Sequence, residues 1–239
     1  MKSLLYPLVS GWIYGFLTWF TRVVVWSFTR YTIEGASNVP ASGAVVLVSN
    51  HLHLLDPPLL AASCGRRVHP MAKRELFETP LVGWVLWPYG AFPVRRFSAD
   101  MGALRAARSY LRSGHVVLMF PEGTRSKDAQ LHPALPGAAM VALLAGSPVV
   151  PVAITGTEQI HVPGVLFRWM RRDRIQIHVT FGQAFTLGGA QAESHNAEEA
   201  TDRMMRQIAA LLPPAYRGAY GEGTEAQLVF ARQLRDQQE

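Results

Sequence analysis

A histidine and an aspartate stand five positions apart in the segment 50–58, directly after an apolar run typical of a buried strand. Pro57 and Pro58 suit the first turn of a helix, which makes Asp56 a candidate N-cap and places His51 in the loop before it. An aspartate there can fix the imidazole tautomer and stabilise the imidazolium that forms when the histidine accepts a proton. The pair is therefore a candidate general base with its partner.

Between His51 and Asp56 the loop holds no serine or cysteine that could act as a nucleophile. A hydroxyl group brought by the substrate would then attack, as in acyl transfer to an alcohol. The alternative is a helix cap beside a structural histidine, and the loop alone does not separate the two interpretations.

A metal site is the third interpretation of this segment, because His51 and His53 are spaced like zinc ligands. However, Asp56 comes one residue late for the metallo-β-lactamase pattern, and Pro57 stands where a further histidine would follow. We therefore expect no metal, and we expect His53 to be a structural residue or part of the wall of a substrate pocket.

A second chemical motif occupies residues 120–126, after another apolar run. Gly123 permits a turn that few residues can make, so the loop presents Glu122, Thr124 and Arg125 at the carboxyl end of a strand. The planar fork of Arg125 matches a phosphate group. Taken alone, the same residues could form an ordinary turn with a solvated ion pair. Further basic residues fall in neighbouring loops, namely Lys73, Arg95 and Arg96.

The chain around these motifs alternates short β-branched runs with helical patterns, which predicts an α/β fold with a mixed, largely parallel sheet flanked by helices. The expected strands are 44–49, 68–72, 91–94, 116–120, 149–154 and 175–181. The expected helices run from a Ser98 cap to Arg112, over 136–145, and from a capping box at Asn196 and Glu199 to Pro213. We expect one domain over residues 31–212, followed by a linker and peripheral helix over 213–239.

Residues 1–30 are predominantly apolar and rich in tryptophan, which favours a helical segment at a membrane interface. The segment could form one spanning helix, a monotopic hairpin in one leaflet, a secretory signal peptide, or a helix packed on the protein's own core. Lys2, Arg22 and Arg30 bracket two apolar runs, and this favours two helices whose ends return to one anionic surface. We expect a monotopic protein on the cytoplasmic face of the membrane.

The amino-acid composition indicates which classes of molecule the protein can bind. The chain carries 23 Lys+Arg against 17 Asp+Glu, a formal net charge of +6, which favours anionic partners. The basic residues are scattered among apolar strands without a recognition motif, so nucleic acid is not an expected partner. Cys64 is the single cysteine, so an intrachain disulfide is excluded.

The motifs at 50–56, 73–77 with 90–96, and 120–126, together with the apolar run and turn at 150–156, occur in a distinctive order and spacing. Over about residues 30–185 the chain resembles the glycerolipid acyltransferase family of 1-acylglycerol-3-phosphate acyltransferases, in its compact bacterial form. One position departs from the family pattern, because Leu135 and Pro136 stand before Gly137 where a lysine is often found.

The resemblance implies that His51 is the general base and Asp56 its partner. Glu122 and Arg125, in a loop with Gly123 and Thr124, would position the acceptor. Lys73 and one of Arg95 or Arg96 would help to hold its phosphate. Backbone N–H groups near Gly123 are candidates to stabilise the tetrahedral oxyanion.

The implied reaction needs no cofactor. It moves a fatty acyl group from acyl-CoA or acyl carrier protein to the free hydroxyl of 1-acylglycerol-3-phosphate and gives phosphatidic acid at the bacterial inner membrane. Two alternatives stay open: an acyltransferase for another lyso-lipid, including a lyso-amino-acid lipid, and a non-catalytic membrane lipid-binding protein on the same fold.

Overall fold

The computed structural model describes residues 5–96, 100–188 and 197–221. Its centre is a sheet of seven strands in the order β1–β7–β6–β2–β5–β3–β4. The strands are β1 (Thr29–Glu34), β2 (Val45–Ser49), β3 (Val68–Lys73), β4 (Phe92–Val94), β5 (Val116–Met119), β6 (Val149–Thr155) and β7 (Ile175–Phe181). Neighbouring strands are parallel except β6 and β7, which are antiparallel. The prediction of a mixed, largely parallel sheet is confirmed.

Eight helices surround this sheet in the part of the chain that the structure describes. They are α1 (Leu5–Phe28), α2 (Asp56–Ser63), α3 (Arg74–Glu78), α4 (Pro80–Tyr89), α5 (Met101–Arg112), α6 (Gly137–Ala145), α7 (Val162–Met170) and α8 (Ala197–Leu211). Short 3-10 turns cover Ala36–Asn38, Thr157–Gln159, Pro214–Tyr216 and Gly218–Tyr220.

The central strands are buried on both faces. In β2, Val46 and Val48 face a layer built with α5, α6 and α8. Val45 and Leu47 face the opposite layer, to which α1 and α2 contribute. Two hydrophobic layers therefore enclose the strands whose ends carry the chemical motifs, and this holds those ends in fixed positions.

Two helix starts differ from the sequence-based predictions. Asp100 is the N-cap of α5, and its Oδ1 accepts the N–H groups of Gly102 and Ala103 at 2.9 and 3.0 Å. Leu55 occupies the cap position of α2, so Asp56 is the first helical residue and not its N-cap. The predicted caps at Ser98 and Asn196 lie outside the described residues.

Two further segments complete the fold around the predicted strands. β1 was not predicted, because its six residues include only two apolar ones, Tyr31 and Ile33, yet it pairs with β7 along its whole length. After α8, the side chain of Tyr220 is buried, and its hydroxyl accepts the N–H of Ala134 at 3.2 Å. The predicted C-terminal helix falls in residues 222–239, outside the described part of the chain.

The N-terminal segment forms one continuous helix, so the prediction of two helices is wrong. One side of α1 packs on the domain, where Tyr14 stacks on Tyr89 and Val25 is buried. Arg22 is exposed, but its guanidinium donates to the backbone carbonyl of Ala62 in α2 and so helps to join α1 to the domain. The prediction of two helices failed because it treated Arg22 as a boundary between apolar runs.

The opposite side of α1 exposes a stripe of large apolar side chains at helical spacing. We call this set the aromatic stripe: Trp12, Phe16, Trp19, Phe20, Val23 and Trp26. Trp12 is 80% exposed and Trp26 70%. Within the described residues, α1 and the other helices all fall short of the combined length and apolarity that crossing a bilayer requires.

Candidate functional site

The candidate site lies at the carboxyl ends of the central strands, where β2 stands between β5 and β6. Strands on the two sides of β2 are reached by connections in opposite directions, and such a reversal opens a crevice at the strand ends. The side chain of Asn50 bridges this point. It donates to the carbonyl of Ile154 and accepts its N–H, both at 2.8 Å. Since this amide replaces a further ladder pair, the chain can turn away from β6 at His51.

Asp56 binds the imidazole of His51 through its oxygen Oδ2, which lies 2.9 Å from Nδ1. The same oxygen accepts the N–H groups of Leu52 and His53, at 2.6 and 2.7 Å. Asp56 is fully buried at the start of α2, where the positive end of the helix dipole favours a carboxylate. Because Nδ1 is engaged, Nε2 is the nitrogen of His51 that can accept a proton from a substrate.

The loop after β5 contacts the face of the His51 ring and binds both backbone polar groups of His51. The ring of Phe120 stacks on the imidazole, with 4.1 Å between ring centroids. The backbone N–H of His51 donates to Glu122 Oε1 at 3.2 Å, and its carbonyl accepts the N–H of Ser126 at 2.7 Å. His51 is therefore a buried residue fixed at its ring and its backbone, and not a side chain on an open loop.

Glu122 connects two loops through its carboxyl group. Its second oxygen accepts the N–H of His132 at 3.0 Å, so each oxygen has a backbone donor. Burial raises the pKa of the Glu122 carboxyl to about 7, although these two donors act to lower it. The resemblance to the family implies a role in acceptor binding; in the described structure, the two hydrogen bonds of the Glu122 carboxyl group go to the backbone of His51 and of His132.

The raised pKa of Glu122 predicts a specific dependence of stability on pH. Between pH 4.5 and pH 7 the folded state keeps a proton that the unfolded chain releases, so this group's contribution to the free energy of unfolding falls as the pH rises. The fall is about 3 kcal/mol over the window. Glu122→Gln removes this titration. As the pH rises from 4.5 to 7, the free energy of unfolding of the variant should therefore increase by that amount relative to the parent's.

The measurement is chemical denaturation of both proteins at a series of pH values from 4.5 to 8. The difference is needed because burial lowers the pKa of His69 to about 4, and this gives the parent an opposing rise in stability over the same window. A stability difference that is independent of pH would contradict the assigned pKa of Glu122.

Gly123 makes the turn that the sequence predicts. Its φ is 69°, and an added Cβ would lie 2.9 Å from the Leu135 side chain. Its own N–H closes the turn onto the carbonyl of Phe120 at 3.0 Å, so it is not free for an oxyanion. The N–H groups of Thr124 and Arg125 have no acceptor within the described ranges, and both residues are exposed.

Among the predicted basic residues, Lys73 and Arg96 both act on the carboxylate of Glu75. Burial, followed by the positive charge of Arg125, lowers the pKa of the Arg96 guanidinium, while Glu75 acts in the opposite direction, so Arg96 and Arg125 lie close enough to repel each other. Lys73 pairs with Glu75 at 3.4 Å on the surface. The backbone N–H of Arg95 donates to Asp100 Oδ2 at 2.8 Å. Arg96 and Arg125 are thus the pair whose mutual repulsion an anion would relieve.

His53 lies beside His51 and Asp56 and is partly buried. Burial lowers the pKa of its imidazole, and the charge of Arg125 acts in the same direction, against the opposing effect of Asp56. Its Nδ1 accepts the N–H of Leu55 at 3.3 Å. Among the described residues, no group of three or more histidine, cysteine or acidic side chains is arranged to hold a metal ion.

Several residues that hold the site in place were not predicted from the sequence to have this role. Phe120 was predicted only as the end of a strand, and Ser126 only as the end of a motif. His132, whose N–H binds Glu122, belongs to no predicted motif; its side chain pairs with Asp128 at 2.9 Å on the surface. These contacts join residues distant in sequence, so spacing within one segment could not reveal them.

Comparisons with known proteins agree with this architecture. The profile of the family described as Acyltransferase matches residues 30–155, more than half of the chain. A chloroplastic 1-acyl-sn-glycerol-3-phosphate acyltransferase from Brassica napus is 34% identical over 145 residues, covering 59% of this chain and 42% of the relative. One from Chlamydomonas reinhardtii is 31% identical over 198 residues, covering 82% of this chain and 57% of the relative.

A bacterial relative, the 1-acyl-sn-glycerol-3-phosphate acyltransferase of Pseudomonas aeruginosa, is 32% identical over 148 residues, which are 61% of this chain and 56% of the relative. The chain thus spans about half the length of these relatives. Among solved structures, the 1-acyl-sn-glycerophosphate (LPA) acyltransferase PlsC from Thermotoga maritima superposes with a TM-score of 0.65 and 26% identity, covering 84% of this chain and 80% of the other. The chain belongs to the acyltransferase family.

Proposed function

We propose that this protein transfers a fatty acyl group from an acyl thioester, either acyl-CoA or acyl-acyl carrier protein, to the free hydroxyl of 1-acylglycerol-3-phosphate. The observation that carries this proposal is the buried His51–Asp56 pair, held at 2.9 Å in a loop without a nucleophile of its own between the two residues. The relatives whose names include this acceptor support the choice of substrate.

In the proposed mechanism, Nε2 of His51 takes the proton of the acceptor hydroxyl while the hydroxyl oxygen attacks the thioester carbonyl. A C–O bond forms, the tetrahedral intermediate collapses, and the C–S bond breaks. The imidazolium, stabilised by Asp56, returns the proton to the departing thiolate. General-base assistance supplies about 10²- to 10⁴-fold, so the fixed position of His51 and the binding of both substrates must supply the rest.

The exposed N–H groups of Thr124 and Arg125 are our candidates for stabilising the oxyanion, in place of the N–H of Gly123. The guanidinium groups of Arg125 and Arg96 are our candidates for the acceptor phosphate, because they repel each other in its absence. We assign Glu122 to the support of the His51 loop.

Turnover assays test this function directly. Purified protein should form phosphatidic acid from 1-acylglycerol-3-phosphate and acyl-CoA or acyl-acyl carrier protein, and its kcat/KM should be lower for lyso-lipids with other headgroups. A higher kcat/KM for a lyso-amino-acid lipid would replace the proposed acceptor. Absence of turnover with every lyso-lipid and both donors, in protein shown to be folded, would favour a lipid-binding role.

Arg125→Lys should selectively weaken the use of a phosphorylated acceptor. Lysine keeps the charge but loses the bidentate fork. At about 1.5–3 kcal/mol for a hydrogen bond to a charged group, kcat/KM for 1-acylglycerol-3-phosphate should fall about ten- to a hundredfold. The KM of the donor should change little.

The matched control is Arg108→Lys, the same change at an exposed position of α5. Monoacylglycerol, which lacks the phosphate, serves as the second acceptor. If Arg125→Lys reduced turnover of both acceptors equally, Arg125 would act on the fold of its loop and not on the phosphate.

We further propose that the aromatic stripe of α1 lies in the membrane interface, parallel to the surface, so that the protein is monotopic and faces the cytoplasm. Tryptophan favours this interface, and the inner side of α1 already belongs to the hydrophobic core. An acceptor with one acyl chain is concentrated in the bilayer, so a site held at its surface meets more substrate.

Replacing Trp12, Trp19 and Trp26 by alanine should shift the protein from the membrane fraction to the soluble fraction and reduce turnover of vesicle-borne acceptor. Turnover of a dispersed short-chain acceptor should persist. Deleting residues 1–29 would be a poorer test, since it removes the buried Val25. Met101→Ala with Leu144→Ala, exposed apolar positions on the other side of the sheet, is the matched control. Unchanged membrane retention in the tryptophan variant would contradict this orientation.

A further inference from the structure

A cavity of about 450 Å³ lies away from His51 and Asp56, on the side of the sheet where β1 and β7 are the outermost strands. Its lining consists of Arg30, Trp169, Met170, Arg172 and Arg174. We call it the arginine cavity. Three of its five lining residues carry a guanidinium group, and the other two are large and apolar.

The register of the sheet places this cavity on the same edge as His51. β7 runs antiparallel to β6, with His178 opposite Thr155, so β7 begins where β6 ends. β1 is parallel to β7 and starts opposite Ile175. The beginnings of β1 and β7, which carry Arg30 and Arg174, therefore adjoin the edge at which β2 and β5 end. β6 and β7 separate the cavity from the loop of His51.

The charge of the cavity is not neutralised by the residues that the structure describes. The acidic residue of the adjacent turn, Asp173, is bound by Arg168 at 3.1 Å. Within the described ranges, Arg30, Arg172 and Arg174 form no ion pair with a carboxylate. Three guanidinium groups line one space, and together they would attract an anion with several acceptor oxygens.

The apolar wall of the cavity continues into α1. The ring of Trp169 contacts that of Phe28, the last residue of α1, with 5.8 Å between centroids. Trp26, in the last turn of α1, belongs to the aromatic stripe. At a membrane surface, tryptophan side chains occupy the same depth as lipid headgroups. The cavity thus combines an apolar side continuous with α1 and a strongly basic side.

We propose that the arginine cavity binds the headgroup phosphate of an anionic phospholipid, at a site distinct from the acceptor site. This inference rests on the proposed membrane contact of α1. A bound headgroup there would hold the start of β1 at the surface and would orient the sheet edge that carries His51. The phosphate would accept hydrogen bonds from the guanidinium groups, which suit its geometry better than an ammonium does.

The test compares two triple variants of the full chain that lose the same charge. Arg30→Gln/Arg172→Gln/Arg174→Gln empties the cavity of cations, while Arg105→Gln/Arg108→Gln/Arg112→Gln removes three exposed arginines from α5. Each lowers the formal net charge of +6 by three. Binding is measured by flotation with phosphatidylcholine vesicles containing phosphatidylglycerol, or a diacylglycerol hemisuccinate of equal surface charge.

The cavity variant should lose about a hundredfold in affinity for phosphatidylglycerol vesicles, the effect expected of three basic residues at an anionic surface. The α5 variant should lose less than threefold. The parent should prefer the phosphate lipid over the carboxylate lipid, and the cavity variant should not. Thermal unfolding of both variants establishes that they are folded.

Two results would overturn the proposal. Equal losses in both triple variants would show a diffuse attraction between charges without a site. A raised KM for acyl-CoA with unchanged vesicle binding would show that the cavity holds the phosphates of a soluble donor. Turnover of a dispersed short-chain acceptor is measured separately, so an inactive parent would refute the proposed function while vesicle binding still decides on the cavity.

Discussion

His51→Ala should lower kcat for acyl transfer by about 10²- to 10⁴-fold, the contribution typical of a general base. The substitution removes the imidazole that Asp56 orients, and with it Nε2, the proposed acceptor of the hydroxyl proton. It also removes the stacking on Phe120 and leaves the buried Asp56 without its side-chain partner. Some loss of stability is therefore expected, which steady-state kinetics alongside thermal unfolding will separate from the loss of catalysis.

His51→Asn distinguishes the two effects, because its amide can still donate to Asp56 but cannot act as a base at neutral pH. It should be better folded than the alanine variant and equally inactive. His132→Ala is the matched control, since His132 also pairs with an aspartate, and its hydrogen bond to Glu122 comes from its backbone, which the substitution keeps. Retained turnover in His51→Asn would refute the mechanism. Chelator-sensitive turnover restored by zinc would replace it with a metal mechanism.

Asp56→Asn should lower kcat by at least about a hundredfold, because the imidazolium formed in the transition state loses its counter-charge. The N–H groups of Leu52 and His53 both point at Oδ2, so the asparagine must keep an oxygen there. The tautomer of His51 is then preserved, and the loss measures the charge alone. The other atom, Oδ1, is buried without a hydrogen-bond partner in the described structure. An NH₂ group in its place should cost about 1–3 kcal/mol of stability.

The control for this change is Asp128→Asn, in the exposed aspartate–histidine pair next to the site. Hydrogen bonding from Ser126 lowers the pKa of Asp128 to about 2, so the residue is ionised throughout the range of an activity assay. The two variants thus lose the same charge from a His–Asp pair, one buried and one exposed. Equal effects on kcat would show that Asp56 has no special role in catalysis.

The six strands predicted from apolar runs all exist, with ends displaced by at most one residue. Their signal is strong because β2, β5 and β6 are buried on both faces and therefore consist almost wholly of apolar residues. β1 has the sequence TRYTIE and is mostly exposed, so it lacks the continuous apolar run of a strand buried on both faces, and its pairing with β7 is what places it in the sheet. Pairing between distant segments leaves no local pattern.

The site shows the same division between local and distant information. The approach of His51 and Asp56 follows from their spacing and from the prolines that start α2. The function of Glu122 does not, because its two donors belong to His51 and His132, in different loops. The sequence identifies a carboxylate at the end of β5, but burial and partners decide whether it binds a ligand or supports a loop.

The supports of His51 also determine when the site can form during folding. His51 and Asp56 are five residues apart, but Glu122 lies 71 residues from His51, and Ile154 lies 104 residues from Asn50. Contacts over such separations require the closure of long loops and form slowly. The imidazole therefore acquires its fixed orientation only after β5 and β6 have joined β2. In refolding, enzymatic activity should return with the slowest phase, after most helical structure has already formed.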